Sequence, residues 1–192
     1  MGMFRFHTVA AHCVQLSDSD IKLLADRGVW AATNPISNAK LGNGFARIPD
    51  MIKAGVNLCI GTDSAASNNT LNMFSDMSFL ALAHKGNTRT ADSVSASEVL
   101  KMATENGVRA LGLQNTGVLR EGAKADLFIM DLNSPSLQPL NNPVAAMCYS
   151  ASGYEVESLM VDGEFLMENR VTKMDEERIY FECNKAMKRI DG

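Results

Sequence analysis

Val56-Asn57-Leu58-Cys59-Ile60-Gly61-Thr62-Asp63-Ser64-Ala65-Ala66-Ser67-Asn68-Asn69 is the stretch whose reading decides the fold. Up to Gly61 it is a short apolar run, interrupted only by Asn57, of the length of a buried strand. It then stops on a carboxylate and passes into a loop of small and amide side chains. In parallel α/β folds the loops leaving the C-terminal ends of strands line the ligand crevice, because the strands hold them at one rim of the sheet. Asp63 is therefore the first candidate for chemistry, set against the plainer role of an Asp that turns the chain after a strand.

Working outward, residues 6–14 read as a strand ending near His12. Ser17 and Asp20 form a capping box for a helix whose face is Ile21, Leu24 and Ala25 and whose left-handed stop is Gly28. Residues 29–33 are a second strand, feeding Asn34-Pro35-Ile36-Ser37-Asn38, read as a loop because Pro35 pushes Asn34 out of helical geometry. Pro49 opens a short helix that closes at Gly55. This β/α alternation implies parallel strands joined by right-handed crossovers. Downstream, Leu71, Phe74, Met77, Leu80 and Ala81 recur at helical spacing, and Ser95 with Glu98 makes a second capping box.

The tail changes character. Leu127-Phe128-Ile129-Met130 is a strand, Asp162-Gly163 between two alternating runs is a hairpin, and residues 175–189 are a charged helix. Two segments follow: an α/β part, residues 1–113, and a strand-rich part, residues 114–192. Three β/α units leave both sheet edges open, so the chain reads as part of a larger assembly.

A net charge of −4 without a basic run argues against a nucleic-acid partner. Cys13, Cys59, Cys148 and Cys183 are widely spaced, which fits reduced thiols in a cytoplasmic protein. No stretch reaches the roughly 18 apolar residues of a membrane span. His12 and Asp63 end the first and third strands, about 10 Å apart at the backbone on ordinary strand spacing, close enough to share a water. His7 and His84 read as surface or packing residues, and Ser64 and Ser67 lack the elbow that would make either a nucleophile.

These residues carry a resemblance. Ala10-Ala11-His12-Cys13-Val14, Asn34-Pro35-Ile36-Ser37-Asn38-Ala39-Lys40-Leu41 and residues 61–69, followed by Gly117-x-Leu119-x-x-Gly122-x-x-Ala125-Asp126-Leu127, are similar to the second half of a metal-dependent amidohydrolase. Within that family they most resemble the 5′-methylthioadenosine/S-adenosylhomocysteine deaminases of the chlorohydrolase-like group. The resemblance implies an α/β fold: an incomplete (β/α)8 TIM barrel holding strands six to eight, joined to a segment of a small β-sandwich domain. It implies that Asp63 ligates Zn2+ or another divalent metal and shuttles the proton of the hydrolytic water. His12 would steady the developing charge, with His12, Asn38 and Ser67 on the substrate side. The reaction implied is hydrolytic loss of ammonia from a purine nucleoside.

Gln15 and Thr33 stand where such proteins often carry His, and Ser64 where Gly is common. The family's His-x-His pair, its further metal His and its acidic Glu would precede Met1. The expectation is therefore a chain that does not retain metal alone and works with a small-molecule substrate alongside a missing N-terminal polypeptide or a second copy. The alternative expectation is an inactive remnant that folds or oligomerises and binds a ligand.

Overall fold

The computed structural model describes residues 2–190; Met1, Asp191 and Gly192 lie outside them. Strands β1 (Val9–Ala11), β2 (Trp30–Thr33) and β3 (Asn57–Ile60) form a parallel sheet in that order. Between them run helices α1 (Asp18–Asp26), α2 (Pro35–Lys40) and α3 (Ile48–Ala54). Beyond β3 come α4 (Ala65–Asn68), α5 (Met73–Thr88), α6 (Ala96–Ala103) and α7 (Glu105–Ala110).

The capping signals act as the local chemistry requires. Ser17 accepts the Asp20 N–H while Asp20 accepts the Ser17 N–H, and Ser95 and Glu98 do the same at α6, each pair satisfying donors a helix start leaves free. Gly28 and Gly55 close α1 and α3 with φ of 62° and 75°.

Helices cover one face of this sheet. Ala31, Leu58 and Ile60 meet Ile21 and Leu24 of α1, Met51 of α3, Leu80 of α5 and Val99 of α6 in one core. Each of the larger side chains, Leu, Ile, Met or Val, contributes about 1.5–3 kcal/mol by leaving water. On β1 the alternation is plain, with Ala10 inward and Val9 and Ala11 exposed. On the opposite face Val9 and Ala11 are exposed, Trp30 and Ala32 half-buried and Cys59 buried, so that side is covered only in part, whereas parallel strands are ordinarily covered on both faces. On the outer side of β3, Asn106 of α7 donates to Leu58 O at 2.9 Å.

The second sheet is antiparallel, in the order β4 (Leu127–Met130), β5 (Val156–Val161), β6 (Glu164–Glu168), β7 (Val171–Thr172). Asp162 and Gly163 take φ of 52° and 84°, the pair of left-handed residues a two-residue hairpin requires. Helix α8 (Pro143–Tyr149) inserts Cys148 into the core of the first sheet, so packing continues across residue 113. Phe74 of α5 also meets Phe128 of β4 edge to face at 5.9 Å. The turn before β5 is organised by Glu155, 3% exposed, which accepts from the N–H groups of Ser152 (2.9 Å) and Gly153 (3.0 Å) and from Ser136 Oγ (2.7 Å). Helix α9 (Glu176–Ile190) buries none of its side chains, and its acidic first and basic last turns suit the helix dipole.

Four features differ from the sequence reading. β1 ends next to His12 as expected but begins only at Val9 rather than near Phe6. The segment after β2 is a helix, α2, not a loop: Asn34 remains outside helical geometry, but Pro35 at the first helical position has its φ already set and no N–H to satisfy. α8 and the short α4 and β7 had no periodicity long enough to announce them. Leu71, placed on the buried face of α5, lies outside that helix and is 69% exposed, whereas Asp76 and His84 occupy the buried stripe.

Candidate active site

β1 and β3 flank β2, and the residues just past their C-terminal ends carry the site. His12 N–H donates to Ala32 O at 2.8 Å, one step beyond the ladder, and Gly61 N–H donates to Thr33 O at 2.9 Å. The chain then bends sharply on both strands: His12 and Cys13 have φ of 67° and 49°, and Asp63 has 64°. Left-handed backbone is uncommon in residues other than glycine and concentrates at functional sites. Ser64, where Gly is common in similar proteins, has φ −80° and needs no glycine; the left-handed demand falls on Asp63 and Asn69.

These bends aim the two side chains at each other. His12 Nε2 lies 3.9 Å from Asp63 Oδ2. Asp63 Oδ2 also accepts from Ser37 Oγ at 2.6 Å. The Ser37 hydroxyl, then the Ser67 hydroxyl and the Ser64 N–H, hold the Asp63 carboxyl below the usual carboxylate range, so it is ionised at neutral pH. On the other side of the imidazole, His12 Nδ1 lies 2.8 Å from Asn38 Oδ1. Helix α2 thus holds both residues, through Ser37 and Asn38, each 1% exposed or less.

The structure gathers His12, Asn38 and Asp63 in direct contact. Ser67 sits on α4 next to them, its hydroxyl 3.0 Å from Ser64 Oγ. Neither His7, bonded to Ala110 O at 2.7 Å, nor His84, buried beside Phe45, joins the site. Gln15 is exposed and donates to Asn43 O at 3.3 Å, and Thr33 is buried at the end of β2.

Three contributors escaped sequence reasoning. Ser37 was hidden in a segment read as loop; Pro35 as a first helical residue was the available signal. Asn34, 6% exposed, accepts from His12 N–H at 3.3 Å. Asp76 is fully buried, and burial raises its carboxyl pKa against the bonds it accepts from Asn68 Nδ2 (2.9 Å) and Ile36 N–H (3.3 Å). Asn68 donates in turn to Thr62 O at 2.7 Å, so Asp76 ties α2 and the Asp63 loop to α5.

Gly61 is held to its identity by this packing. A Cβ there would lie 2.8 Å from Asn34 Nδ2, and Asn34 cannot swing aside without giving up its 3.3 Å share of the His12 N–H, whose main acceptor is Ala32 O at 2.8 Å. Gly61→Ala is expected to cost about 1–3 kcal/mol as an overpacking change, read as a lower denaturation midpoint with an unchanged m-value.

Zinc takes three or more protein ligands. Among the described residues no group of three His, Cys, Asp or Glu side chains is arranged to hold a metal. Asp63 offers one carboxylate, so the side chains of this chain do not by themselves fit a zinc centre.

Comparison with known proteins places this geometry. Residues 1–166 match the model of the amidohydrolase family. The chain is 46% identical over 191 residues to the 5-methylthioadenosine/S-adenosylhomocysteine deaminase of Acetivibrio thermocellus, covering 98% of this chain and 44% of that protein. It is 44% identical over 191 residues to the 5′-deoxyadenosine deaminase of Methanosarcina mazei, covering 99% of this chain and 44% of the relative. Among solved structures, a zinc-bound adenosine deaminase of Xanthomonas campestris superposes with a TM-score of 0.92 at 34% identity, over 95% of this chain and 42% of that one. Zinc-complexed atrazine chlorohydrolase of Arthrobacter aurescens gives 0.86 at 29%, over 92% and 40%. The chain therefore spans about 44% of the length of the curated relatives it matches. With the match running through both strand ends that carry His12 and Asp63, this chain belongs to the amidohydrolase family.

Proposed function

We propose that this chain supplies the proton-handling part of a hydrolytic purine-nucleoside deaminase acting on 5′-methylthioadenosine, S-adenosylhomocysteine or a close analogue. The observation that carries the reading is an ionised carboxylate, Asp63, facing an imidazole, His12, at 3.9 Å across the strand ends of a parallel sheet. Hydrolytic deamination needs that pairing. A water must lose a proton as it attacks the amino-bearing ring carbon, and the departing amine must gain one; a positioned carboxylate can do both. An imidazole beside it can donate to the oxygen on which negative charge develops. Ser37 restrains the Asp63 oxygen; Asn38 acts on the substrate side through His12; Ser67 stands where it can meet a bound ligand.

A divalent metal, as in the zinc-bound amidohydrolase structures, would supply the activation of water. Asp63 is the donor this chain offers, and the other ligands would have to come from a second polypeptide segment, so metal retention by the chain alone is not expected. The three parallel strands with both edges unpaired and one face covered only in part support reading residues 1–113 as the last three units of a (β/α)8 barrel. Residues 114–192 would then belong to a smaller β-rich domain. Four free cysteines, and no described helix long and apolar enough to cross a membrane, support a cytoplasmic setting.

The test is reconstitution. The chain alone with zinc should release no ammonia from 5′-methylthioadenosine, and co-expression with a polypeptide matching the remaining length of the relatives should restore release. Turnover by the isolated chain would sink the shared-site reading, and an assembled, zinc-loaded complex without turnover would sink the deaminase reading. A second reading, a non-enzymatic chain that oligomerises, is favoured by the exposed β1 edge, with Val9 43% exposed, and by α9 with Phe181 64% exposed. A monodisperse, cooperatively melting metal-free oligomer is its signature.

A further inference from the structure

The Asn38 amide is buried, and its Nδ2 has no hydrogen-bond partner among the described residues. Its Oδ1 lies 2.8 Å from His12 Nδ1. In that orientation a neutral imidazole must carry its proton on Nδ1, and the bare Nε2 lone pair then faces the Asp63 carboxylate at 3.9 Å. Two faults coincide: an orphaned buried NH2 with two unsatisfied donors, and a lone pair set against an anion. A half-turn of the amide about its Cβ–Cγ bond turns the lone pair away from the anion and gives one of the two N–H donors an acceptor, without altering its shape, because amide oxygen and nitrogen are interchangeable in outline. Nδ2–H then donates to the Nδ1 lone pair, and the imidazole proton moves to Nε2, pointing at Asp63. What remains unpaired is one N–H and the amide oxygen in place of two N–H groups, and an unpaired oxygen is a milder fault than an unpaired N–H. The other ring neighbours permit this: Asn34 Oδ1 is engaged by the His12 backbone N–H, and Ser37 donates to the same Asp63 oxygen, which stays an acceptor.

We propose that Asn38 is a positioning residue whose side-chain NH2 donates to His12 Nδ1 and so locks His12 as the Nε2–H tautomer. His12 thereby presents a fixed donor to whatever oxygen lies beside Asp63. Only this catalytic consequence rests on the deaminase reading; the tautomer is a property of the chain itself. Without such a lock an imidazole samples both tautomers, and the fraction carrying its proton on Nδ1 offers the site no donor.

The experiment is long-range proton–nitrogen NMR of the 15N-labelled full chain under conditions where the ring is neutral. The His12 signals are assigned by their loss in His12→Gln. The expected result is a pyridine-type Nδ1 and a pyrrole-type Nε2, with a through-bond nitrogen–nitrogen coupling between Asn38 Nδ2 and His12 Nδ1. Asn38→Asp, which can only accept, should move the pyrrole-type signal to Nδ1, and Asn38→Ala should give a tautomer mixture. A pyrrole-type Nδ1 in the unmodified chain, alone or together with a pyrrole-type Nε2, would overturn the proposal. So would a missing Asn38–His12 coupling, which needs no variant to fold, or an unchanged tautomer in a folded Asn38→Asp chain. The tautomer as expected in the chain, together with no ammonia release from the assembled, zinc-loaded complex, would instead count against the functional reading.

Discussion

Asp63→Asn in the reconstituted deaminase is expected to lower the rate by on the order of 10³-fold or more, at the upper end of what positioned acid–base groups contribute. The chain should remain folded, because Asp63 is a partly exposed side chain outside the core cluster. An amide keeps the outline and can still accept from Ser37, but it is neutral and cannot take a proton from water. Ser37, Ser67 and the Ser64 N–H hold the carboxyl below its usual range, so the activity lost is that of a permanently ionised base across the neutral pH range. The measurement is ammonia release under saturating substrate, with circular dichroism and thermal unfolding of the same sample. A variant that keeps a tenth or more of the rate would remove Asp63 from the proton-transfer role. One that loses its fold along with its rate would make it structural.

Glu155→Gln is expected to destabilise the chain by about 3 kcal/mol at neutral pH, with a loss that fades in acid. Burial alone would raise this carboxyl, but the bonds from the Ser152 N–H, Ser136 Oγ and Ser152 Oγ outweigh it and bring it down from 4.5 to about 2. A difference of that size between folded and unfolded chain, at 1.36 kcal/mol for each unit, gives the figure. The folded state binds this proton later than the unfolded one, so the contribution is fully present above about pH 4.5 and disappears as the pH falls towards 2. Gln can turn its oxygen to the Ser152 and Gly153 N–H groups and its NH2 to the Ser136 and Ser152 hydroxyls, which can accept, so what the substitution removes is the charge that strengthens these bonds. Urea unfolding of both proteins at a series of pH values should show a gap that is widest at neutral pH and closes in acid. A gap independent of pH would mean that the carboxylate charge does not hold the turn together.

Much of the architecture was written in short-range chemistry. Ser17 with Asp20, Ser95 with Glu98, Gly28, Gly55 and Asp162-Gly163 each act on backbone groups within about four residues, and each sits where that chemistry predicts. Leu127–Met130 matches its strand residue for residue. α2 was not legible, because six residues are too few for a periodic face and the residue before a proline looks the same in a loop as at a helix start.

The candidate site follows the same division. The sequence by itself determined the alternating β/α order, and hence that His12 and Asp63 leave the same rim of a parallel sheet. Tertiary structure alone decided that Ser37, 26 residues from Asp63, would close on its carboxylate, and that Asn38, which the family resemblance already puts on the substrate side, would bond the His12 ring. It also decided that Asp76, read only as part of a helix, would be the buried anchor of that loop. The physical reason is range. Caps and turns are settled by neighbours along the chain, whereas a carboxylate's environment is set by whichever side chains packing brings within about 4 Å. No local pattern records that outcome.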